Sequence, residues 1–254
     1  MGWHDYLFDN LSIDVGTSES RRFGCRVVNV RCGPSAEIDD DFYAGLRDSE
    51  FDIAVIRFPT SHLRMGALLS ELGDRVLVTE PTVYWSKAIV HRDTTDSSLE
   101  KLVPVFPNEM RRLNAAIRSS FAGYRSHWHQ NPLTEEVDMA EVYIEWTQSV
   151  IRQPSHQAFL LVSQDSNDSI GMGLVESSGT TFEILLAGIV ADHQGSGHYA
   201  SILSRIEAMV GGAGHDMAVI STQASNSRVQ KAWSRNGWHP AFTLQTVHLV
   251  RSGL

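Results

Sequence analysis

The sequence predicts an α/β protein whose larger, C-terminal part combines helices with a hairpin and further strands. Runs of apolar residues at helical spacing alternate with short β-rich runs along the chain. From about residue 104 the predicted order is helix, helix, three strands, a glycine loop, helix, strand, helix and strand. Hydrophobic residues are 42% and charged residues 20% of the 254 residues, which suits a globular protein with a sizeable core.

Charge and cysteine content exclude several classes of protein. The formal net charge of -9 argues against nucleic acid as a partner, because such proteins usually carry a basic surface. Cys25 and Cys32 make no disulfide framework, and no Cys/His set has convincing zinc spacing. No apolar run has the length of a membrane span, and the first residues lack a signal-peptide pattern. We therefore expect a cytoplasmic protein without a membrane partner or a bound metal.

The first hundred residues predict a small α/β domain. The polar stretch from Arg92 to Ser98 lacks periodicity and is the predicted boundary, which gives domains over residues 1–100 and 101–254. The elements predicted before the boundary are strands at 26–30, 51–57 and 75–78 and a helix at 63–72 that stops at Gly73.

After the boundary the pattern changes to longer helices and strands. Asn108 is predicted to cap the first helix, and Asn226 is predicted to cap the last one. The first helix carries one apolar face made of Met110, Leu113, Ile117 and Phe121. The other predicted elements are a helix at about 135–150, a strand at 159–163, a hairpin at 170–176 and 182–190, a helix ending at 211–212, and strands at 217–220 and 244–250.

A glycine loop, residues 194–197, joins an apolar strand to an amphipathic helix. This arrangement turns backbone N–H groups and a helix N-terminus toward one point, which favours an anion such as phosphate. A tight turn that binds nothing is the alternative, and the loop alone does not decide between them. A Rossmann site is excluded because Ala200 holds the third glycine position, and a P-loop is excluded because Gly-Lys-Ser/Thr is absent.

Two motifs in this order resemble the Gcn5-related N-acetyltransferase (GNAT) family over about residues 104–250. The first is the glycine loop, and the second runs from Thr222 to Trp238, with Asn226 after a strand and Gly237 before an aromatic residue. The resemblance implies a mixed, mainly antiparallel, splayed sheet with flanking helices, here preceded by the smaller N-terminal α/β domain. It also implies an enzyme that transfers an acetyl group, or another acyl group, from CoA to an amine.

A narrower resemblance covers nearly the whole chain and points to dTDP-fucosamine acetyltransferase-like enzymes, which acetylate amines of sugar nucleotides. It rests on residues 51–59, 119–121, 126–132 and 143–146. The acceptor implied is a small primary amine, here the amino group of a nucleotide-linked sugar, and a homodimer is allowed. Acceptor-facing residues implied are Tyr124, Arg125, His127 and His129, and basic residues that can hold a nucleotide diphosphate are Arg57, Arg64 and Arg125.

The GNAT resemblance also implies where CoA binds. The loop, which begins at Gln194, and the helix N-terminus are expected to hold the pyrophosphate, and the strand before them is expected to pair with the pantetheine arm. Asn226 is expected to contact the cofactor, a role compatible with capping a helix. The N–H groups implied for the pyrophosphate are those of Gly195, Ser196, Gly197, His198 and Tyr199, and the strand residues implied for the arm are Gly188, Ile189 and Val190.

Three residues are candidates for the proton transfers of acetylation. Glu183 occupies the strand position at which related proteins carry a glutamate base, and its apolar neighbours would raise its pKa. A solvent-facing strand carboxylate is the alternative. His127, with His129 beside it, is the rival base, or a histidine that packs on Trp128. Trp233 stands where the family usually has a tyrosine that protonates the CoA thiolate.

Two departures from the family pattern leave a second function open. The indole N–H of Trp233 donates a hydrogen bond but has no usable acidity. Asp192 places a carboxylate just before the glycine loop, which disfavours a pyrophosphate unless that side chain points to solvent. A non-catalytic acyl-CoA-binding protein is therefore the alternative to an enzyme, as is an acyltransferase that uses a longer acyl donor.

Overall fold

The computed structural model describes residues 11–33, 40–72, 75–90 and 100–251. The predicted domain boundary at residues 92–98, and Gly73 as a helix stop, lie outside these ranges, so the two-domain division stays a prediction. Across the described ranges, no helix is both long and apolar enough to cross a membrane. The same ranges contain no group of three or more His, Cys, Asp or Glu side chains that could hold a metal ion.

The described residues form an 11-stranded sheet with seven α-helices. The strands are β1 (Leu11–Val15), β2 (Val27–Cys32), β3 (Ile53–Pro59), β4 (Arg75–Val78), β5 (Thr82–Ala88), β6 (Glu100–Pro104), β7 (His156–Ser163), β8 (Ser169–Ser178), β9 (Thr181–Ile189), β10 (Met217–Gln223) and β11 (His239–Val250). The helices are α1 (Thr17–Phe23), α2 (Asp40–Asp48), α3 (Met65–Ser70), α4 (Met110–Ser120), α5 (Met139–Val150), α6 (His198–Gly211) and α7 (Ser227–Arg235).

The sheet runs in the order β1-β2-β3-β11-β5-β10-β9-β8-β7-β6, and β4 pairs with β11. Its pairs are antiparallel except β2–β3 and β9–β10, so the sheet is mixed and mainly antiparallel, as predicted. Strand β5 comes from the first hundred residues, yet it pairs with β10 on one side and β11 on the other. The N-terminal and C-terminal parts of the chain therefore share one sheet.

Alternating side chains of the β7–β9 region supply two separate cores, because successive residues of a strand point to opposite faces. On one face, Phe159 and Leu161 pack with residues of α6, including Ile202 and Ile206. On the other face, Leu160 packs with residues of α4 and α5. The helices thus cover both faces of this half of the sheet.

Two helix starts differ from the predictions. Asn108 lies inside a 3₁₀ turn, Pro107–Glu109, so the first residue before α4 is Glu109 and the predicted Asn108 cap is wrong. The second helix starts at Met139 rather than near residue 135, because the Asp138 side chain accepts a hydrogen bond from Ala140 N and caps it. The apolar face predicted for α4 is confirmed, since Leu113 and Ile117 are fully buried.

Candidate functional site

A gap opens between β9 and β10 in the middle of the sheet. The two strands pair in parallel only from Thr181↔Met217 to Ile184↔Ile220. Beyond that point β9 continues to Ile189 paired with β8, and β10 continues to Gln223 paired with β5. The β8–β9 register shifts at Leu185, which makes a β-bulge where the strands part. We call the space between the two diverging strands the gap.

The β9 side of the gap presents backbone polar groups. Val190 N donates to Ile170 O at 3.0 Å, so this N–H points away from the gap, toward β8. Because backbone groups alternate in direction along a strand, those of Ile189 and Ala187 face the gap. The Gln194 side chain reaches back and donates to Ile189 O at 3.0 Å, which ties the glycine loop to the end of β9.

The glycine loop has the geometry that an anion site requires. Gly195 and Gly197 have φ angles of +87° and +85°, which L-residues rarely adopt. Helix α6 begins directly after the loop, and within the described ranges the N–H groups of His198 and Tyr199 have no backbone acceptor. Within the described ranges, no acceptor takes a hydrogen bond from the N–H groups of Gly195, Ser196 or Gly197. Strand, loop and helix N-terminus therefore converge as predicted.

Charged side chains of both signs lie around the glycine loop. A Cβ atom added to Gly195 would lie 3.9 Å from Nη2 of Arg228, so this exposed cation from α7 stands beside the loop. Asp192 is exposed in a 3₁₀ turn before the loop. The His198 ring bonds to the Glu100 carboxylate of β6, and that carboxylate also accepts from Ser201 Oγ. Sequence reasoning missed Arg228, which no local motif marks.

Gly188 has a packing role in the structure. A Cβ atom added there would lie 2.7 Å from Cβ of Ser120 and 3.2 Å from Cε2 of Phe121. The glycine therefore allows the C-terminal end of α4 to approach β9 closely. Ala191 N donates to Ser119 Oγ at 3.0 Å and fixes the same junction.

A cavity of about 370 Å³, called the polar cavity here, is continuous with the gap because both gap strands line it. Leu185 and Leu186 contribute from β9, and Ser221, Thr222 and Gln223 contribute from β10. The rest of its wall is largely polar and comes mainly from residues 18–149. These residues are Ser18, Glu19, Arg22, Asn29, Arg57, Glu80, Thr82, Tyr84, Tyr124, Ser126, His127, Tyr143, Glu145, Trp146 and Ser149, among others.

Tyr124 lies where the cavity meets the end of β10. Its hydroxyl donates to Gln223 Oε1 at 2.6 Å, and Gln223 Nε2 donates to the carbonyl of Arg125 at 2.8 Å. Burial, followed by the nearby Glu80 carboxylate, raises the pKa of Tyr124 to about 12. The Arg125 side chain is exposed and does not line the cavity, so the structure brings Tyr124 to the site but leaves the Arg125 side chain outside it.

His127 lines the cavity with both ring nitrogens engaged. Arg57 Nη2 lies 3.0 Å from its Nε2, and His248 Nε2 lies 2.8 Å from its Nδ1. Arginine only donates, so His127 Nε2 accepts and its Nδ1–H donates to His248. Burial, followed by Arg57 and then His248, holds the pKa of His127 well below 6.5. The imidazole is therefore neutral, but a proton-accepting nitrogen becomes available only if Arg57 moves.

His129 is held within its own turn instead of facing the cavity. Its Nδ1 accepts from Ser126 N at 3.0 Å, and Ser126 caps the 3₁₀ turn His127–Gln130. The ring does not line the polar cavity, so the structure brings His127 to the site and leaves His129 outside it.

Glu183 lies in the paired half of β9, opposite Val219 of β10 and Glu176 of β8. It is 2% exposed and does not line the polar cavity. The predicted base is thus buried before the strands part, not at the gap.

Trp233 is 1% exposed, and its Nε1 donates to the Tyr199 hydroxyl at 3.2 Å. Its ring also packs edge-on against Trp85, with the ring centroids 5.9 Å apart. The indole N–H of Trp233 is therefore already engaged by Tyr199 of α6.

Asn226 caps α7 as predicted: its side chain accepts from Val229 N and donates to Thr222 Oγ1 at 3.0 Å.

Glu80 is a cavity residue that sequence reasoning missed. It follows β4 and precedes β5, and its carboxylate accepts a hydrogen bond from Ser225 N, after β10. Its own N–H donates to Gln130 Oε1 at 2.9 Å. The surrounding sequence gives no motif for this position.

Of the basic residues predicted to hold a nucleotide diphosphate, Arg57 lines the polar cavity. Arg64 and Arg125 are exposed and do not line it.

Comparison with known proteins identifies the fold. No family model and no curated protein matches the sequence. Solved structures do match, among them a GCN5-related N-acetyltransferase from Sphaerobacter thermophilus, with a TM-score of 0.64 and 15% identity over 95% of this chain and 77% of that one. A tandem GNAT protein from the clavulanic acid biosynthesis pathway has a TM-score of 0.57 and 12% identity, over 91% of this chain and 79% of that one.

A third match is a GCN5-related glucosamine N-acetyltransferase region of a fungal multi-domain GH3 β-N-acetylglucosaminidase. Its TM-score is 0.59 and its identity 11%, over 94% of this chain and 31% of that one. Together with the diverging central strands, these likenesses show that the chain has the GNAT fold, as the sequence predicts.

Proposed function

We propose that this chain is an acyl-CoA-dependent N-acyltransferase that acetylates the primary amine of a small polar molecule. The observation that carries the proposal is the gap between β9 and β10, which has the glycine loop at one end and the polar cavity beside it. The amine attacks the thioester directly while both substrates are bound. Holding the two reactants together supplies much of the rate enhancement, because it replaces a bimolecular encounter.

The residues beside the gap fit CoA. The free N–H groups of Gly195, Ser196 and Gly197, with the N-terminus of α6, suit a pyrophosphate, and Arg228 adds a positive charge nearby. The backbone of Ala187 and the N–H of Ile189, on the open edge of β9, suit the amide groups of a pantetheine arm, which can pair there like an added strand. When bound there, an acyl-CoA would supply the activated acyl group as its thioester.

Glu80 is the carboxylate best placed to receive the proton of the acceptor amine. It lines the cavity at the end of β10, and its position is fixed by Ser225 N. Glu145 also lines the cavity, but it pairs with Arg22. A base acts directly or through one water, so Glu80 can serve an amine held beside the gap. This assignment replaces the need for Glu183 or His127 in that role.

An amino sugar is the acceptor class that we favour. Ligand cavities range from about 300 to 1,000 Å³, so the polar cavity suits a small, polar acceptor. Glu19 and Glu80 can hold an ammonium group, and Tyr84 and Trp146 offer aromatic surface to a sugar ring. The glucosamine N-acetyltransferase region among the solved structures supports this class. A nucleotide attached to the sugar would extend beyond the cavity, with Arg57 as its nearest cation.

The direct test is CoA release from acetyl-CoA with a panel of amines: free amino sugars, nucleotide-linked amino sugars, amino acids and polyamines. We expect turnover with at least one amino sugar, and turnover restricted to other amines would refute that acceptor class. Repeating the assay with hexanoyl-CoA tests whether a longer acyl donor is used. The 1% exposure of Trp233 favours a non-catalytic acyl-CoA-binding protein as second candidate. That alternative predicts a CoA-dependent rise in melting temperature and no turnover with any amine.

A further inference from the structure

The contact between Tyr199 and Trp233 joins the first turn of α6 to α7 at the gap. Trp233 belongs to the apolar cluster that contains Ile184 and Ile220, the last paired residues of β9 and β10, and Tyr199 packs against this cluster. The Trp233 ring contacts Trp85, which pairs with Ile220 of β10, so the Tyr199–Trp233 pair lies beside the point where β9 and β10 separate. Tyr199 is two residues after Gly197, so its position is fixed by the glycine loop.

The hydrogen bonding of the Tyr199 hydroxyl is one-sided. Its oxygen accepts from Trp233 Nε1 at 3.2 Å. Throughout the described ranges, no protein atom accepts the proton of this hydroxyl. A buried hydroxyl normally both donates and accepts a hydrogen bond. The Tyr199 O–H has no acceptor and lies beside the gap, so it can donate to a ligand atom.

Trp233 makes the Tyr199 hydroxyl a better donor. A hydrogen bond received from the indole N–H stabilises negative charge on the phenolic oxygen. Burial raises the pKa of Tyr199, whereas this bond from Trp233 acts in the opposite direction. Tyr124, at the cavity side, is close enough to influence the same hydroxyl electrostatically.

We propose that Tyr199 is the catalytic acid that protonates the departing CoA sulfur, and that Trp233 is the positioning residue that orients it. The inference rests on the proposed acyltransferase function. The amine nitrogen forms a bond to the thioester carbonyl carbon, the carbon–sulfur bond breaks, and its electron pair moves to sulfur. Tyr199 gives its hydroxyl proton to that sulfur and regains one from solvent, while Glu80 takes the proton lost by the amine.

The first test measures binding without turnover. CoA and desulfo-CoA, which lacks the sulfur, are titrated calorimetrically into wild-type protein and Tyr199→Phe at pH 9, where part of the CoA thiol is ionised. We expect CoA to bind the variant about tenfold more weakly, because a hydrogen bond to a charged group is lost. Desulfo-CoA should bind both proteins equally, which also shows that the variant is folded. Equal weakening of both ligands, or of neither, overturns the proposal.

The second test uses turnover with the best amine. Tyr199→Phe should lower kcat about 100-fold with little change in the KM for acetyl-CoA, since acid catalysis contributes factors of this size. Trp233→Phe, which keeps the hydroxyl but removes its orienting N–H, should lower kcat less. The double variant Tyr199→Phe/Trp233→Tyr, which returns a hydroxyl from α7, should recover activity relative to Tyr199→Phe.

The two proposals fail in different ways. Wild-type protein that binds CoA but acetylates no amine contradicts the proposed function. Wild-type turnover together with an unchanged kcat in Tyr199→Phe contradicts the role of Tyr199 and leaves the acyltransferase function standing.

Discussion

The glycine loop and the polar cavity meet at the same gap, but the loop presents backbone groups whereas the cavity presents side chains. The loop offers exposed backbone N–H groups held by two glycines with positive φ. The cavity offers side chains, several of them buried and linked to one another, such as His127 with Arg57. A backbone site recognises a phosphate whatever the rest of the ligand is, whereas a side-chain site selects an acceptor. Changes in the loop should therefore alter CoA binding, and changes in the cavity should alter turnover and pH behaviour.

The largest effect should come from the cavity carboxylate. Glu80→Gln keeps an oxygen that can accept from Ser225 N but removes the base, so kcat/KM for the amine should fall about 100-fold. CoA affinity, measured by calorimetry, should stay unchanged. Glu145→Gln is the matched control, because it removes a cavity carboxylate that is already paired with Arg22, and it should lower kcat/KM less than tenfold. Equal losses in both variants would show that Glu80 acts only through charge.

The buried histidines beside the polar cavity should make the free energy of unfolding depend on pH. Burial, followed by Arg57, lowers the pKa of His248 from 6.5 to about 3. The folded protein holds the neutral form, so its stabilising contribution is complete above pH 6.5 and is lost as the pH falls toward 3. The free energy of unfolding should decrease by about 1.4 kcal/mol per pH unit from this group. Urea unfolding of His248→Gln between pH 7 and 4 should show a flatter slope than wild type, and parallel slopes would contradict this.

Backbone strain in the glycine loop should weaken CoA binding, by a smaller factor than the loss expected from Glu80→Gln. Gly197→Ala has steric room for its methyl group, but the φ of +85° costs an L-residue about 1–2 kcal/mol. If the loop relaxes, its N–H groups turn away, and CoA affinity should fall about tenfold. Gly179→Ala, in the β8–β9 turn at a φ of +56°, carries a similar strain away from the site. That control should lose stability and keep its CoA affinity; matching affinities in the two variants would refute a phosphate-binding loop.

The smallest effect should come from the cation beside the loop. Arg228 is exposed, so its contribution to holding a phosphate is screened, and Arg228→Ala should weaken CoA about threefold. The loss should shrink as salt is raised. Arg235→Ala, at the exposed C-terminal turn of α7, is the matched control and should bind CoA like wild type. A loss that persists unchanged in 1 M salt would point to a packing role for Arg228.

The elements that the sequence predicts well are those set by local rules. The β8–β9 hairpin, the glycine loop and the Asn226 cap each depend on a short stretch of chain, and all three are confirmed. Strand β5 is missing from the predictions, because strand preference depends on packing against neighbours, and its neighbours are β10 and β11, far along the chain.

The same reason explains which contacts in the site were missed. Glu80 meets Ser225, and Tyr199 meets Trp233, only after distant segments pack together. A motif records spacing along the chain, and these pairs have no fixed spacing. The sequence also places Glu183 on a strand, but it does not show that β9 is still paired with β10 at that residue. Only the pairing register shows where β9 and β10 separate.

The position of β11 has a consequence for how the protein is made. This last strand lies between β3 and β5, and Leu244 pairs with both Pro59 and Thr82. Until it has left the ribosome, two strands synthesised long before it have an open edge at the centre of the sheet. Pairings between such distant segments form slowly, because closing a long loop costs entropy before the new contacts repay it. The sheet therefore stays divided during synthesis until β11 is available, and removing β11 would separate β1, β2 and β3 from the other strands of the sheet order.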